Sequence, residues 1–134
     1  MISLKIVTPR GIYLQEEIKS LHAKSVGGEF TLLPNHMPVV MAMVPCRLVL
    51  TTDKDQKQEY ALAGGFLHFD DNKASLMTDA IERSDEIDID RAKAAYKRAR
   101  ERLDHQDVDL EMKKAERALH RAINRLDVSG KKFD

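Results

Sequence analysis

The chain has 134 residues, of which 43% are hydrophobic but only 5% aromatic, which is enough for one modest core with an appendage. Its 22 basic residues are balanced by 22 acidic ones, which argues against the strongly basic profile of a general nucleic-acid binder. No apolar run approaches the roughly 20 residues that cross a bilayer. The opening residues 1–5 read as a strand rather than a signal peptide, and the lone Cys46 excludes a disulfide framework and favours a reducing compartment.

Ile2, Leu4 and Ile6 alternate with Ser3 and Lys5, which predicts a half-buried strand closed by the turn Pro9-Arg10-Gly11. Ile18, Leu21 and Ala23 belong to the next strand region, which ends at Gly27-Gly28. Phe30, Leu32 and Leu33 lead into Pro34-Asn35-His36-Met37-Pro38, a loop bracketed by two prolines. Residues 39–44 read as another strand, and Leu48 and Leu50 alternate before the polar turn Asp53-Lys54-Asp55. Tyr60, Leu62, Phe66 and Phe69 surround Gly64-Gly65, and Asp70-Asp71-Asn72 makes a tight turn before a strand over 74–77. Short strands with turns about every 8 to 12 residues indicate an antiparallel sandwich or barrel.

At Ile87-Asp88-Ile89-Asp90-Arg91-Ala92 the apolar period changes from two to three or four. The boundary is therefore placed between a β domain over residues 1–84 and a helical domain over 85–134. Asp88 is the expected N-cap of the first helix, and Asp90 in its first turn suits the helix dipole. Ile89, Ala92, Ala95, Tyr96, Ala99 and Leu103 form one stripe. Asp104-His105-Gln106-Asp107 breaks the run. A second helix carries Leu110, Ala115, Ala118, Leu119, Ala122, Ile123 and Leu126 on one face and stops near Ser129-Gly130. Two amphipathic helices with a short connection make an antiparallel hairpin. Alanines dominate its seam, each burying about one methyl, ~0.8 kcal/mol, against ~1.5–3 kcal/mol for a leucine. Helices of this length are marginal alone in water, so the hairpin reads as a weakly latched switch.

The motifs of nucleophile elbows, phosphate-binding P-loops and zinc proteases are absent from the sequence. Its five histidines lack metal-ligand spacing, and Cys46 has no cysteine partner. His36 is the best catalytic candidate, but with no nucleophile or base placed beside it a loop role is expected and no catalytic residue is assigned. The arginines are better organised. Arg91, Arg98 and Arg102 share one flank of the first helix, and Arg117, Arg121 and Arg125 one flank of the second. Brought together by a hairpin, guanidinium forks suit phosphate oxygens. The same rows, interspersed with Glu101 and Glu116, also read as a solvated face.

Four stretches, in order along nearly the whole chain, resemble the epsilon subunit of the bacterial F-type ATP synthase. They are Ile6-Val7-Thr8-Pro9-Arg10-Gly11, residues 28–38 with their Gly28-Glu29 and Leu33-Pro34-Asn35-His36-Met37-Pro38, Ala63-Gly64-Gly65-Phe66 with Asp71-Asn72, and Ile87-Asp88-Ile89-Asp90-Arg91-Ala92. The resemblance implies an α+β fold, with an N-terminal antiparallel β-sandwich of about ten strands followed by a C-terminal two-helix hairpin. It further implies a non-catalytic rotor subunit that joins the gamma subunit to the c-ring, with His36 and Met37 at the rotor interface. The helices would reach the α and β subunits when extended and inhibit ATP hydrolysis. The complex would hold the chain peripherally on the cytoplasmic side of the cell membrane. No metal or resident cofactor is implied, but some members bind a regulatory ATP. By that motif Glu82, Asp88 and Arg91 would hold base and ribose, and Arg98, Arg121 and Arg125 the phosphates. Thr31, Asn35 and Cys46 depart from the family by standing where glycine is common. Two further readings are a nucleic-acid module gripping phosphates with the hairpin, against which the neutral charge weighs, and an isolated nucleotide sensor.

Overall fold

The period-two segments form nine strands among the described residues, close to the ten expected. They are β1 (Ile2–Thr8), β2 (Gly11–Ser25), β3 (Gly28–Leu32), β4 (Val39–Met43), β5 (Cys46–Thr52), β6 (Lys57–Leu62), β7 (Gly65–Asp70), β8 (Lys73–Met77) and β9 (Ile81–Arg83). The computed structural model describes residues 1–105 and 109–130, and their side chains except those of 103–112. These residues divide into two units, Met1–Arg83 and Ser84–Asp134.

In the first unit β1, β8, β7 and β4 are successive neighbours, as are β2, β5, β6 and β9, with β3 on β2. The 15-residue β2 joins the two sets, pairing β1 along its first half and β3 and β5 along its second. Every pairing is antiparallel except β1 with β8, which is parallel. That exception was not visible in a local pattern, because it joins the first strand to one about seventy residues later. Ile18, Leu21 and Ala23 break strict alternation, and a register shift between Ile18 and Ser20 explains why all three still point inward. A bulge of this kind restores the facing of the residues beyond it.

The core lies between the layers. Ile2, Leu4, Ile6, Leu67, Phe69 and Leu76 meet Ile18, Leu21, Leu32, Leu48, Leu50 and Leu62, and none of these is more than 1% exposed. Each contributes about 1.5–3 kcal/mol by leaving water, so this body is stiff. Close approach at one point demands glycine. A Cβ on Gly65 would clash with the Met77 carbonyl oxygen, and its φ of +129° disfavours any side chain. Asp71 and Asn72, at φ of 49° and 59°, form the two-residue left-handed turn that joins β7 to β8.

In the second unit a single 3-10 turn, Ser84–Glu86, leads to α1 (Ile89–His105) and α2 (Asp109–Val128). Asp88 caps α1 as its sequence position indicates. Its Oδ1 accepts the Arg91 N–H at 3.1 Å, and its carbonyl accepts the Ala92 N–H at 3.0 Å. The helix α2 is closed by the Ser129 and Gly130 N–H groups on Arg125 and Asp127 carbonyls, with Gly130 at φ 79°. Ala92 and Ala99 of α1 are buried, as are Ala115, Leu119, Ala122 and Leu126 of α2. Ala95, Tyr96, Ala118 and Ile123 are half-buried. The expected seam residues Leu103 and Leu110 have side chains outside the described set, as do Gln106 and Asp107 of the interruption.

Candidate functional site

The largest departure from the inward pattern lies on the outer face of β1, β8, β7 and β4. Register aligns Ile12 with Val7, Val7 with Met77, Met77 with Phe66 and Phe66 with Ala42, one row across five strands. Ile12 is 58% exposed, Met77 52% and Phe66 57%, and Val40 beside them on β4 is 67% exposed. Steps of about 4.8 Å between strands make the row roughly 19 Å long. A contiguous apolar strip of this kind on an otherwise polar surface marks an interaction site. None of these residues is among the site residues assigned from sequence. The available signal was phase, since Val7, Val40, Phe66 and Met77 stand one position away from Ile6, Met41, Leu67 and Leu76, which point inward.

The rotor-interface candidates sit in the loop preceding β4. Asn35 takes the left-handed conformation, φ 68°, that a glycine would adopt there. Its N–H donates to Asn72 Oδ1 at 2.6 Å, and Asn72 Nδ2 donates to Asn35 Oδ1 at 3.0 Å. The loop is thus pinned to the β7–β8 turn. His36 lies edge-on to the Phe69 ring with centroids 6.1 Å apart, and its Nδ1–H donates to the Met37 carbonyl at 2.7 Å. Its imidazole is therefore engaged in shaping the loop. Met37, 72% exposed, is left pointing to solvent.

The six nucleotide-binding candidates fall in both units. Glu82 lies on β9, half-buried and opposite Ala61 of β6. The other five belong to the hairpin. Asp88 is engaged as the α1 cap, with Arg91 in the first turn. Arg98 on α1 and Arg121 on α2 are exposed, and Arg125 in the last turn of α2 is half-buried. Among the described residues the guanidinium groups of Arg91, Arg98 and Arg121 make no ion pair or hydrogen bond.

Other polar groups fit catalysis poorly. His22 Nδ1 is 2.7 Å from Thr31 Oγ1, and its Nε2 is 3.9 Å from Glu29 Oε1. The grouping resembles a carboxylate, imidazole and hydroxyl relay, but it lies open on a sheet surface with its acid beyond hydrogen-bond length. Burial raises the Cys46 thiol above its ordinary range, partly offset by Lys24, which keeps it protonated and poorly nucleophilic. Among the described residues no group of three His, Cys, Asp or Glu side chains is set to hold a metal. No helix among them is long and apolar enough to cross a membrane.

Comparison with known proteins agrees with this division. The model of the family described as "ATP synthase, Delta/Epsilon chain, beta-sandwich domain" matches residues 1–84, and that of the "long alpha-helix domain" of the same chain matches residues 85–130. The ATP synthase epsilon chain of Ligilactobacillus salivarius is 33% identical over 132 residues, covering 96% of this chain and 95% of the relative. That of Desulforamulus reducens is 38% identical over 126 residues, covering 92% of each. A chain in the structure of the Euglena gracilis mitochondrial ATP synthase OSCP/F1/c-ring superposes with a TM-score of 0.78 at 25% identity, over 89% of this chain and 75% of that one. One from the Tetrahymena thermophila mitochondrial ATP synthase central stalk and c-ring has a TM-score of 0.69 at 15% identity over 96% of each, which shows a shared fold.

Proposed function

As the chain belongs to the ATP synthase delta/epsilon family, we propose that it is a non-catalytic subunit of the central stalk that joins gamma to the c-ring and restrains ATP hydrolysis. The observation that carries the coupling role is the row of Ile12, Val7, Met77, Phe66 and Ala42 on a stiff sandwich, exposed at every position but the half-buried Val7. This row docks on gamma, and the pinned loop carrying His36 and Met37 meets the rotor at the c-ring. Torque needs a body that does not yield, and the packed core supplies it. Held through these contacts, the chain lies peripherally on the cytoplasmic side of the membrane and binds no nucleic acid.

The hairpin carries the regulatory role. Its described seam contains four alanines and two leucines, so little free energy separates closed from open. When it extends, its basic flanks meet the α and β subunits and block hydrolysis. In the closed form Arg98, Arg121 and Arg125 would hold the phosphates of a regulatory ATP, with Glu82, Asp88 and Arg91 toward base and ribose. That ligand would supply charge to stabilise the closed hairpin, and no chemistry. At a hundred times its dissociation constant it adds about 2.7 kcal/mol to the closed state, comparable to the seam. Pull-down of the purified chain with gamma and c-ring tests the coupling role. Retention by both is expected, and failure to bind either contradicts it.

A further inference from the structure

The segment 33–38 that connects β3 to β4 has little backbone support of its own. Among the described residues it makes no backbone–backbone hydrogen bond, and its hydrogen bonds to the rest of the first unit are the two between Asn35 and Asn72. Asn72 is a fixed anchor. It ends the left-handed turn between β7 and β8 at φ 59°, and its carbonyl accepts the Ser3 N–H at 2.8 Å. The next residue, Lys73, aligns with Ser3 on β1 and with Asp70 on β7. The anchor is thus built into β1, β7 and β8 of the stiff sheet. On the loop side Asn35 occupies φ 68°, and one residue on, the His36 ring rests edge-on against the fully buried Phe69. Either side of this pinned point, Leu33 is 56% exposed and Met37 72%.

The two bonds are reciprocal. The Asn72 amide offers an acceptor to the Asn35 N–H and a donor to Asn35 Oδ1. A glycine at position 35 would keep the φ and the N–H, but it would give Asn72 Nδ2 no oxygen and would widen the conformations open to the loop. A loop without the clamp must be ordered, residue by residue, when a partner arrives. We infer that Asn72, which lies outside the loop, is the positioning residue that holds the Leu33–Met37 loop in its docking conformation before the c-ring meets it. The inference rests on the reading that this loop meets the c-ring and deepens it by naming what fixes the loop's shape. The same clamp ties the contact into β1, β7 and β8, so force on the loop passes into the packed sheet.

The test is the rate at which the full-length chain binds a purified c-ring in lipid nanodiscs, followed by biolayer interferometry, with Asn72→Gly, Asn72→Asp and Met37→Glu. Circular dichroism checks that each variant is folded, and calorimetry measures its affinity for gamma. Asn72→Gly keeps the left-handed turn and removes both bonds. Asn72→Asp keeps an acceptor for the Asn35 N–H and offers its second oxygen to the Asn35 amide once that amide turns over. Asn72→Gly is expected to slow association about tenfold, as for a loop that is competent about a tenth of the time. Its dissociation rate and its affinity for gamma should stay at the parent values, and Asn72→Asp should restore association. If Met37→Glu abolishes binding while Asn72→Gly associates as fast as the parent, the positioning role is overturned and the docking reading survives. A loss that appears in dissociation instead overturns it by making Asn72 a direct contact, and an equal loss of gamma affinity overturns it by making the effect a general one. Failure of Asn72→Asp to recover association overturns it as well. Should Met37→Glu bind as well as the parent, the docking reading itself fails and takes the inference with it.

Discussion

Replacing Leu126 by alanine probes how weakly the hairpin is latched. Leu126 is fully buried at the C-terminal end of the α2 stripe. The buried residues of the described seam are Ala92, Ala99, Ala115, Ala122, Leu119 and Leu126. Their gross burial is on the order of 6–9 kcal/mol at about 0.8 kcal/mol per methyl and 1.5–3 kcal/mol per leucine, before the cost of ordering the helices. A buried leucine-to-alanine change costs about 2–5 kcal/mol, a large share of that total. Amide hydrogen exchange resolves the two units separately. In Leu126→Ala, protection of α1 and α2 should fall by that amount while amides of β1, β5 and β7 keep theirs, because the core cluster contains no hairpin residue. ATP at a hundred times its dissociation constant should restore about 2.7 kcal/mol of the loss. Unchanged helical protection, or a loss shared equally by the sandwich, would refute the weak-latch reasoning.

Three other outcomes follow from particular residues. Glu16 lies on the inward-facing side of β2 opposite Leu4, and its Oε1 is shut off from water with no hydrogen-bond partner, although the residue as a whole is only half-buried. Burial, and then Asp53, raise its carboxyl above the ordinary glutamate value of 4.5. A raised folded-state value means that stability is greatest while Glu16 is protonated and is lost as pH rises through it. Glu16→Gln should therefore unfold at a higher urea concentration than the parent at pH 7 and at the same concentration at pH 3.5; a constant offset at both would count against it. Gly65→Ala forces a Cβ onto the Met77 carbonyl and strains a positive φ, so a loss of at least about 1–3 kcal/mol in thermal unfolding is expected. Arg98→Ala or Arg121→Ala should weaken ATP binding far more than Lys113→Ala in calorimetry, and equal losses would reduce the site to general basic attraction.

Local chemistry made much of this architecture legible in the sequence. Asp88 as a cap, Gly130 as a stop, Asp70-Asp71-Asn72 as a tight turn and the change of period at residue 87 each depend on a few adjacent residues, and each stands where expected. Long-range pairing was not legible. The parallel contact of β1 with β8, and with it the alignment of Val7, Met77 and Phe66, arises only when distant strands meet. Phe66, by sequence one more strand residue near Gly64-Gly65, is exposed within the apolar row. Asn35, a departure from the common glycine, keeps glycine's backbone conformation and adds a side chain that locks onto Asn72. The arginine spacing on α1 and α2 was visible from period alone. Asp88 serves as the expected cap through the Arg91 N–H, so any nucleotide contact it makes must share that carboxylate.

The regulatory claim is tested most directly by ATP hydrolysis of an epsilon-depleted F1-ATPase to which this chain is added. Full-length protein should lower the rate, and the chain ending at Ile87 should bind without lowering it. Hydrolysis unaffected by both, or lowered equally by both, would contradict a switch carried by the hairpin.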